Sequence, residues 1–114
     1  MVSIQKRLRI AAGQFAPVRG CIEENMRHHE LLITSAASAG VNLIIFPELS
    51  LTGYEPEMAH RLALADETCL LPLQTLAERY DMTIVAGAPL HVKDSKPAIG
   101  ACVISSKQPV SFYR

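Results

Sequence analysis

Glu48 is the residue of this sequence best placed for chemistry, standing in Phe46-Pro47-Glu48-Leu49-Ser50 directly after the apolar run Val41–Phe46. The carboxyl ends of buried parallel strands are where α/β proteins set their reactive groups. A carboxylate at such an end loses solvation, which raises its pKa towards the range where it can accept and return protons near neutrality. The same position also suits an ordinary solvated loop glutamate, and position alone favours that plainer reading.

The other residues of reactive type form no comparable constellation. The three cysteines, Cys21, Cys69 and Cys102, are widely spaced and odd in number, which fits neither a disulfide framework nor the close pairs of a zinc site. Cys102 lies inside a strand run and reads as a small buried apolar residue. Cys21 and Cys69 precede helical stretches, where a helix amino terminus could lower a thiol pKa, but neither stands in a nucleophile motif. His28 and His29 are adjacent and so point to different sides of a helix, without the i, i+4 spacing of a zinc-protease pair. His60 and His91 read as surface or loop residues. Gly13 and Gly20 are not followed by a Gly-Lys-Ser or Gly-Lys-Thr closure, and no dinucleotide fingerprint is present. The expectation is therefore no metal and no cofactor.

These residues need elements to position them. The run Leu8–Phe15, closed by Ala16-Pro17, predicts a first strand. From Cys21 to Ala39, Ile22, Met26, Ile33 and Ala37 recur at helical spacing, Glu23 and Glu24 occupy the first turn, and Gly40 is placed to end the helix. Val41–Phe46 reads as a strand buried on both faces, giving a strand-helix-strand unit of parallel type. Met58–Ala65 predicts one or two helical turns. A second long helix follows, with Pro72 in its first turn, an apolar stripe of Leu73, Leu76, Ala77 and Tyr80, and Asp81 near its end. Thr83–Ala88 is a strand broken by Pro89, Ile99–Ser105 another, and Val110–Tyr113 the start of a last one. The order β-α-β-α-β-β-β is an α/β layer without linker, repeat or low-complexity segment.

Composition narrows the classes further. Apolar residues make up 49% and charged residues 19% of the 114-residue chain, a globular balance sufficient for one small domain over residues 1–114. Eleven basic and eleven acidic residues cancel with no run of like charge, which argues against nucleic-acid and anionic-membrane partners. Lys6, Arg7 and Arg9 are followed by too short an apolar stretch for an export signal, and no segment has the length of a membrane span. Reduced thiols and a cytoplasmic location are expected.

The string Phe46-Pro47-Glu48-Leu49-Ser50-Leu51-Thr52-Gly53-Tyr54, preceded by Ala39-Gly40-Val41-Asn42-Leu43-Ile44-Ile45, closely resembles the first signature of the nitrilase superfamily of carbon-nitrogen hydrolases. Arg9–Phe15 resembles that family's opening strand, with Glu24-Asn25 at the matching place in the first helix. Thr83–Pro89 resembles its third strand, and Phe112-Tyr113-Arg114 the strand that leads into its lysine. Four agreements in the right order span nearly the whole chain. The resemblance implies a Glu-Lys-Cys triad that hydrolyses amides or nitriles, the glutamate taking the thiol proton and the lysine holding charge on the tetrahedral intermediate. Only the glutamate maps, onto Glu48; the family's lysine follows the segment matched by Tyr113-Arg114, and its cysteine belongs to a later motif. Tyr54 is placed near the substrate pocket by its position in the signature. The implied fold is part of an α-β-β-α sandwich, of which this chain supplies mainly one sheet with helices on one face.

Two functions follow as expectations. One is the amino-terminal portion of a carbon-nitrogen hydrolase domain, inactive alone, whose complete form takes an amide, nitrile or carbamoyl substrate. The other is a non-catalytic remnant serving as a binding or assembly module. A flavodoxin-like binding domain lacks its phosphate loop here. Both faces of Val41–Phe46 and Thr83–Ala88 are apolar, yet two helices advancing across a sheet in one direction cover one face only, so self-association through the other face is expected.

Overall fold

A computed structural model describes residues 7–55, 59–64 and 67–114. Helix α1 spans Ile22–Ser38 and buries Asn25, Met26, His29, Ile33 and Ala36, a stripe at three- and four-residue spacing. Its carboxyl end closes on Gly40 at φ +74°, with the Gly40 and Val41 amides donating to the carbonyls of Ala37 (3.1 Å) and Ala36 (3.1 Å). This left-handed turn is the one that glycine adopts without a Cβ penalty, and Gly40 ends the helix as expected. Helix α2 is the short segment Ala59–Leu62, and a 3-10 turn at Thr68–Leu70 leads into α3, Leu71–Tyr80. The predicted turn at Met58–Ala65 is thus present in its described part, while Met58, Ala65 and the His60 side chain lie outside the described residues. Pro72 sits in the first turn of α3, where its missing N–H costs nothing, and Asp81 closes that helix in the left-handed region.

Five strands form one sheet in the order β1 (Ile10–Ala12), β2 (Leu43–Ile45), β3 (Thr83–Leu90), β4 (Ala98–Ile104), β5 (Ser111–Tyr113). The first three are parallel and the last two pairings antiparallel. Paired positions Ala11, Ile44, Ile84 and Ile104 run across one face, and the row Ala12, Ile45, Val85 and Val103 runs across the other. The first face carries the core: Ile84, Leu73, Ala77, Ile33, Cys102 and Ile104 are all fully buried there or in the helices above it.

The second face is open. Ile10 is 57%, Ile45 44%, Ile99 52% and Tyr113 63% exposed. The reading of Val41–Phe46 as buried on both faces is therefore corrected: Ile44 is 2% exposed and its neighbour Ile45 is not covered. The apolar run correctly reports a strand whose two sides repel water, but this chain supplies helices for one side only. The expected asymmetry, helices on a single face, is what the fold has.

The break expected at Pro89 is also corrected, since β3 continues to Leu90. In a strand, a residue's N and C=O point the same way, and the Pro89 carbonyl accepts from Leu64 N (2.9 Å), on the side away from β4. The absent N–H therefore falls outside the β3–β4 ladder, a place where proline is tolerated. No described helix is long and apolar enough to cross a membrane.

Candidate active site

Parallel strand β2 pairs with β3 only as far as Ile45 and Val85. Beyond that point the edge of β3 still offers backbone groups, and the segment after β2 takes them. Phe46 N donates to Val85 O (2.9 Å) and Leu51 N to Gly87 O (2.9 Å), while Gly87 N donates to Ser50 Oγ (3.0 Å). Between these anchors the chain makes a tight elbow in which Ser50 N donates to Pro47 O (3.1 Å) and Gly53 N to Leu49 O (2.7 Å). Leu49 is buried and takes φ +55°, a left-handed conformation that a branched apolar side chain adopts only when its surroundings hold it there. Glu48 rides on this elbow at the carboxyl end of β2, as its position in the sequence implies.

Gly87 makes the close approach possible. A Cβ at that position would lie 2.4 Å from Leu49 N and 2.7 Å from Pro47 O, so the elbow crosses directly over the glycine backbone. Gly87 shares its row with Ala101 and Tyr113, which belong to the open face of the sheet. Glu48 consequently lines a concavity of about 430 Å³ on that face, together with Ile45, Val85, Gly87, Ala101, Tyr113 and Arg114. Glu48 is exposed in this setting rather than desolvated, because the surface that would roof the concavity is the uncovered one.

Tyr54 is 71% exposed and does not share that concavity. It lines a neighbouring one of about 390 Å³ with Leu49, Thr52, Glu55, Lys96 and Pro97, and Ile99 borders both. Arg19 pairs with Glu55 at 3.0 Å beside it. Among the described residues, no cysteine and no lysine lines the Glu48 concavity. Cys102 lies on the helix-covered face, where burial, and secondarily Cys69, push its thiol up to about 12. Cys21 sits at the amino end of α1 and Cys69 in the 3-10 turn, both half-buried.

The elbow has support from below that the residue pattern did not reveal. The fully buried Asn25 of α1 accepts from Val18 N (2.7 Å) and donates through Nδ2 to Val18 O (2.8 Å) and Leu51 O (2.9 Å). One turn later, His29 is fully buried between the rings of Phe15 and Phe46, with centroids 5.0 and 4.2 Å away. Its Nδ1 lies 2.6 Å from Asn25 O and its Nε2 2.9 Å from Ser50 Oγ. Burial pushes this imidazole down to about 4, against the opposing hydrogen bond to Asn25 and with a smaller push from His28. His29, Ser50 and Gly87 thus belong to the site, although only Glu48 and Tyr54 stand out as candidates in the sequence. The available signal was a pair of polar residues, Asn25 and His29, on the helical stripe that also carries Met26 and Ile33.

Comparison with known proteins matches this arrangement to one family. Residues 9–114 fit the sequence model described as carbon-nitrogen hydrolase. A curated relative, the glutamine-dependent NAD(+) synthetase of Thermotoga maritima, is 40% identical over 52 residues, covering 46% of this chain and 9% of the relative. Among solved structures, a CN-hydrolase superfamily protein from Xanthomonas campestris superposes with TM-score 0.82 at 18% identity, over 96% of this chain and 40% of that one. An amidase from Nesterenkonia sp. superposes with TM-score 0.79 at 21% identity, over 94% and 42%. The chain thus spans less than half the length of these relatives. With residues 9–114 of its 114 matched by that family's model, the chain belongs to the carbon-nitrogen hydrolase family.

Proposed function

We propose that the chain carries the general-base part of an amide- or nitrile-hydrolysing site, with Glu48 as the base. The observation that carries this reading is the position of Glu48: a hydrogen-bonded elbow holds it at a strand end, at the mouth of a concavity, in a chain of this family. In the reaction, a cysteine thiol gives its proton to Glu48 as its sulfur attacks the amide carbon. Glu48 then passes that proton to the nitrogen, which leaves as ammonia or amine as the thioester forms. The regenerated carboxylate deprotonates a water that attacks the thioester, and the proton returns to the departing cysteine sulfur as the acid is released. Tyr54 is assigned to the substrate-facing wall, through the neighbouring concavity. The relatives include proteins named as an amidase and as a glutamine-dependent synthetase, and primary carboxamides are the substrates to test first.

Glu48 alone cannot complete this chemistry, because neither a thiol nor a lysine lines its concavity among the described residues. The purified chain is expected to release no ammonia from simple amides or glutamine. A chimera in which residues 9–114 replace the matched part of the Nesterenkonia amidase should be active and should lose at least roughly a hundredfold in kcat on Glu48→Gln. Activity of the chimera that is indifferent to Glu48→Gln would remove this residue from the role, and hydrolysis by the 114-residue chain alone would show that other residues do the work.

A second reading is favoured by the open apolar face, on which Ile10, Ile45, Ile99 and Tyr113 are exposed. In it the chain is a non-catalytic assembly module that associates with itself through that face.

A further inference from the structure

His29 and Ser50 come from elements 21 positions apart in sequence and meet where no solvent reaches either side chain. Donor and acceptor roles in this contact follow from the surrounding atoms. Asn25 O is a carbonyl and can only accept, so the imidazole proton is on Nδ1, which donates to it over 2.6 Å. Nε2 then presents a lone pair, and across 2.9 Å the Ser50 hydroxyl must be the donor. With its proton committed to His29, Ser50 Oγ offers a lone pair to Gly87 N at 3.0 Å. The chain of bonds runs Gly87 N–H to Ser50 Oγ–H to His29 Nε2, then His29 Nδ1–H to Asn25 O, and every link has a defined direction.

We infer that His29, as a neutral Nδ1–H imidazole, is a positioning residue for Glu48: it orients the Ser50 hydroxyl so that the elbow stays clamped to the β3 edge at Gly87. The functional weight of this inference rests on the reading of Glu48 as the base, while its geometric content stands without it. Among the described residues, Ser50 is the side chain that reaches from the elbow to the Gly87 amide. Leu49, in its left-handed conformation, lies between the Phe46–Val85 bond on one side and the Ser50 clamp and Leu51–Gly87 bond on the other. If the Ser50 hydroxyl turned away, the Gly87 N–H would be buried without a partner, and the elbow would gain by moving off the strand. The direction in which Glu48 projects depends on that elbow, two residues before Ser50. Phe15 and Phe46 fix the ring plane of His29, so its acceptor cannot rotate away from Ser50.

The test uses the 114-residue chain. Nitrogen-15 NMR of the imidazole should show Nδ1 protonated and Nε2 bare at pH 7. The opposite tautomer, or a charged ring, overturns the inference without any variant. His29→Phe keeps a ring but removes the acceptor, whereas His29→Gln can return an amide oxygen to the Nε2 position. Amide hydrogen exchange at Gly87 and Leu51 should quicken by roughly tenfold in His29→Phe relative to Ile84 and Ala86, and return in His29→Gln. Equal acceleration at all four amides in both variants would show a merely structural histidine and overturn the positioning role. Ser50→Ala should reproduce the local effect, and adding His29→Phe to it should leave Gly87 exchange no faster. Failure of Glu48→Gln to affect the chimera would sink the catalytic reading while leaving these NMR outcomes to judge the clamp separately.

Discussion

Burial lowers the pKa of His29 from its ordinary value of 6.5 to about 4, and this has a consequence for acid stability. Between those values the unfolded chain binds a proton at this residue that the folded chain refuses, so stability rises with pH across the window. The contribution is complete above pH 6.5, declines as the pH falls towards about 4, and is spent below it. Its full size is on the order of 3 kcal/mol. Urea midpoints measured at pH 7 and pH 4.5 should differ accordingly in the natural chain and much less in His29→Gln; an equal difference in both would place the titration elsewhere. At this scale the sequence was partly legible. The place of Glu48 at a strand end was legible because strand, proline and glutamate are adjacent in the chain, but that position alone favours an ordinary loop glutamate, and only the resemblance of the surrounding string singled it out. The place of His29 was not legible, because its partner Ser50 is 21 residues away and its role exists only after α1 has packed beside the elbow. Expecting Glu48 to be desolvated also failed for a spatial reason: the strand end is apolar, but the face it opens onto has no cover in this chain.

Strand β3 outlasts β2, and the elbow occupies the vacated edge with backbone hydrogen bonds that a longer β2 would otherwise make. Gly87 is the point on which this exchange depends, since the elbow backbone lies where a Cβ would be. Gly87→Ala should therefore cost about 1–3 kcal/mol, the range of overpacking in a closed site, and should lift the elbow and shift the Glu48 and Leu49 amide resonances. Chemical denaturation with NMR spectra of the variant checks both parts, and natural stability with unchanged elbow resonances would refute the close packing. Helices and strands were legible from periodicity and punctuation: Gly40 ends α1 and Asp81 lies at the end of α3, as their places in the sequence predict. The reading went wrong at Pro89, where a residue-level rule was applied without knowing which side of the strand the missing N–H faces. That side is set by the pairing of β3 with β4, which no local pattern encodes.

At the scale of the whole molecule, the open face and the Glu48 concavity are the same surface, since Ile45, Val85 and Tyr113 belong to both. Apolar residues on that face are exposed in number, and water contact over such a patch favours any arrangement that removes it. Whatever packs there also roofs Glu48, so a second copy lying sheet on sheet would bury the carboxylate at the interface and deny it to substrate. Self-association through this face would therefore close the Glu48 concavity. Self-association is the expected state: sedimentation equilibrium at micromolar concentration should give a dimer, packed on a two-fold axis with the strands of the two sheets roughly aligned. Ile45→Lys places a charge in the middle of the face and should shift the chain to monomer. Leu31→Lys, on a helix position that is 71% exposed, should leave the dimer intact. A well-folded monomer of the natural chain would refute the argument, a heterogeneous aggregate would retain the exposed face but reject the symmetric pair, and equal responses to both lysine variants would move the interface away from the sheet.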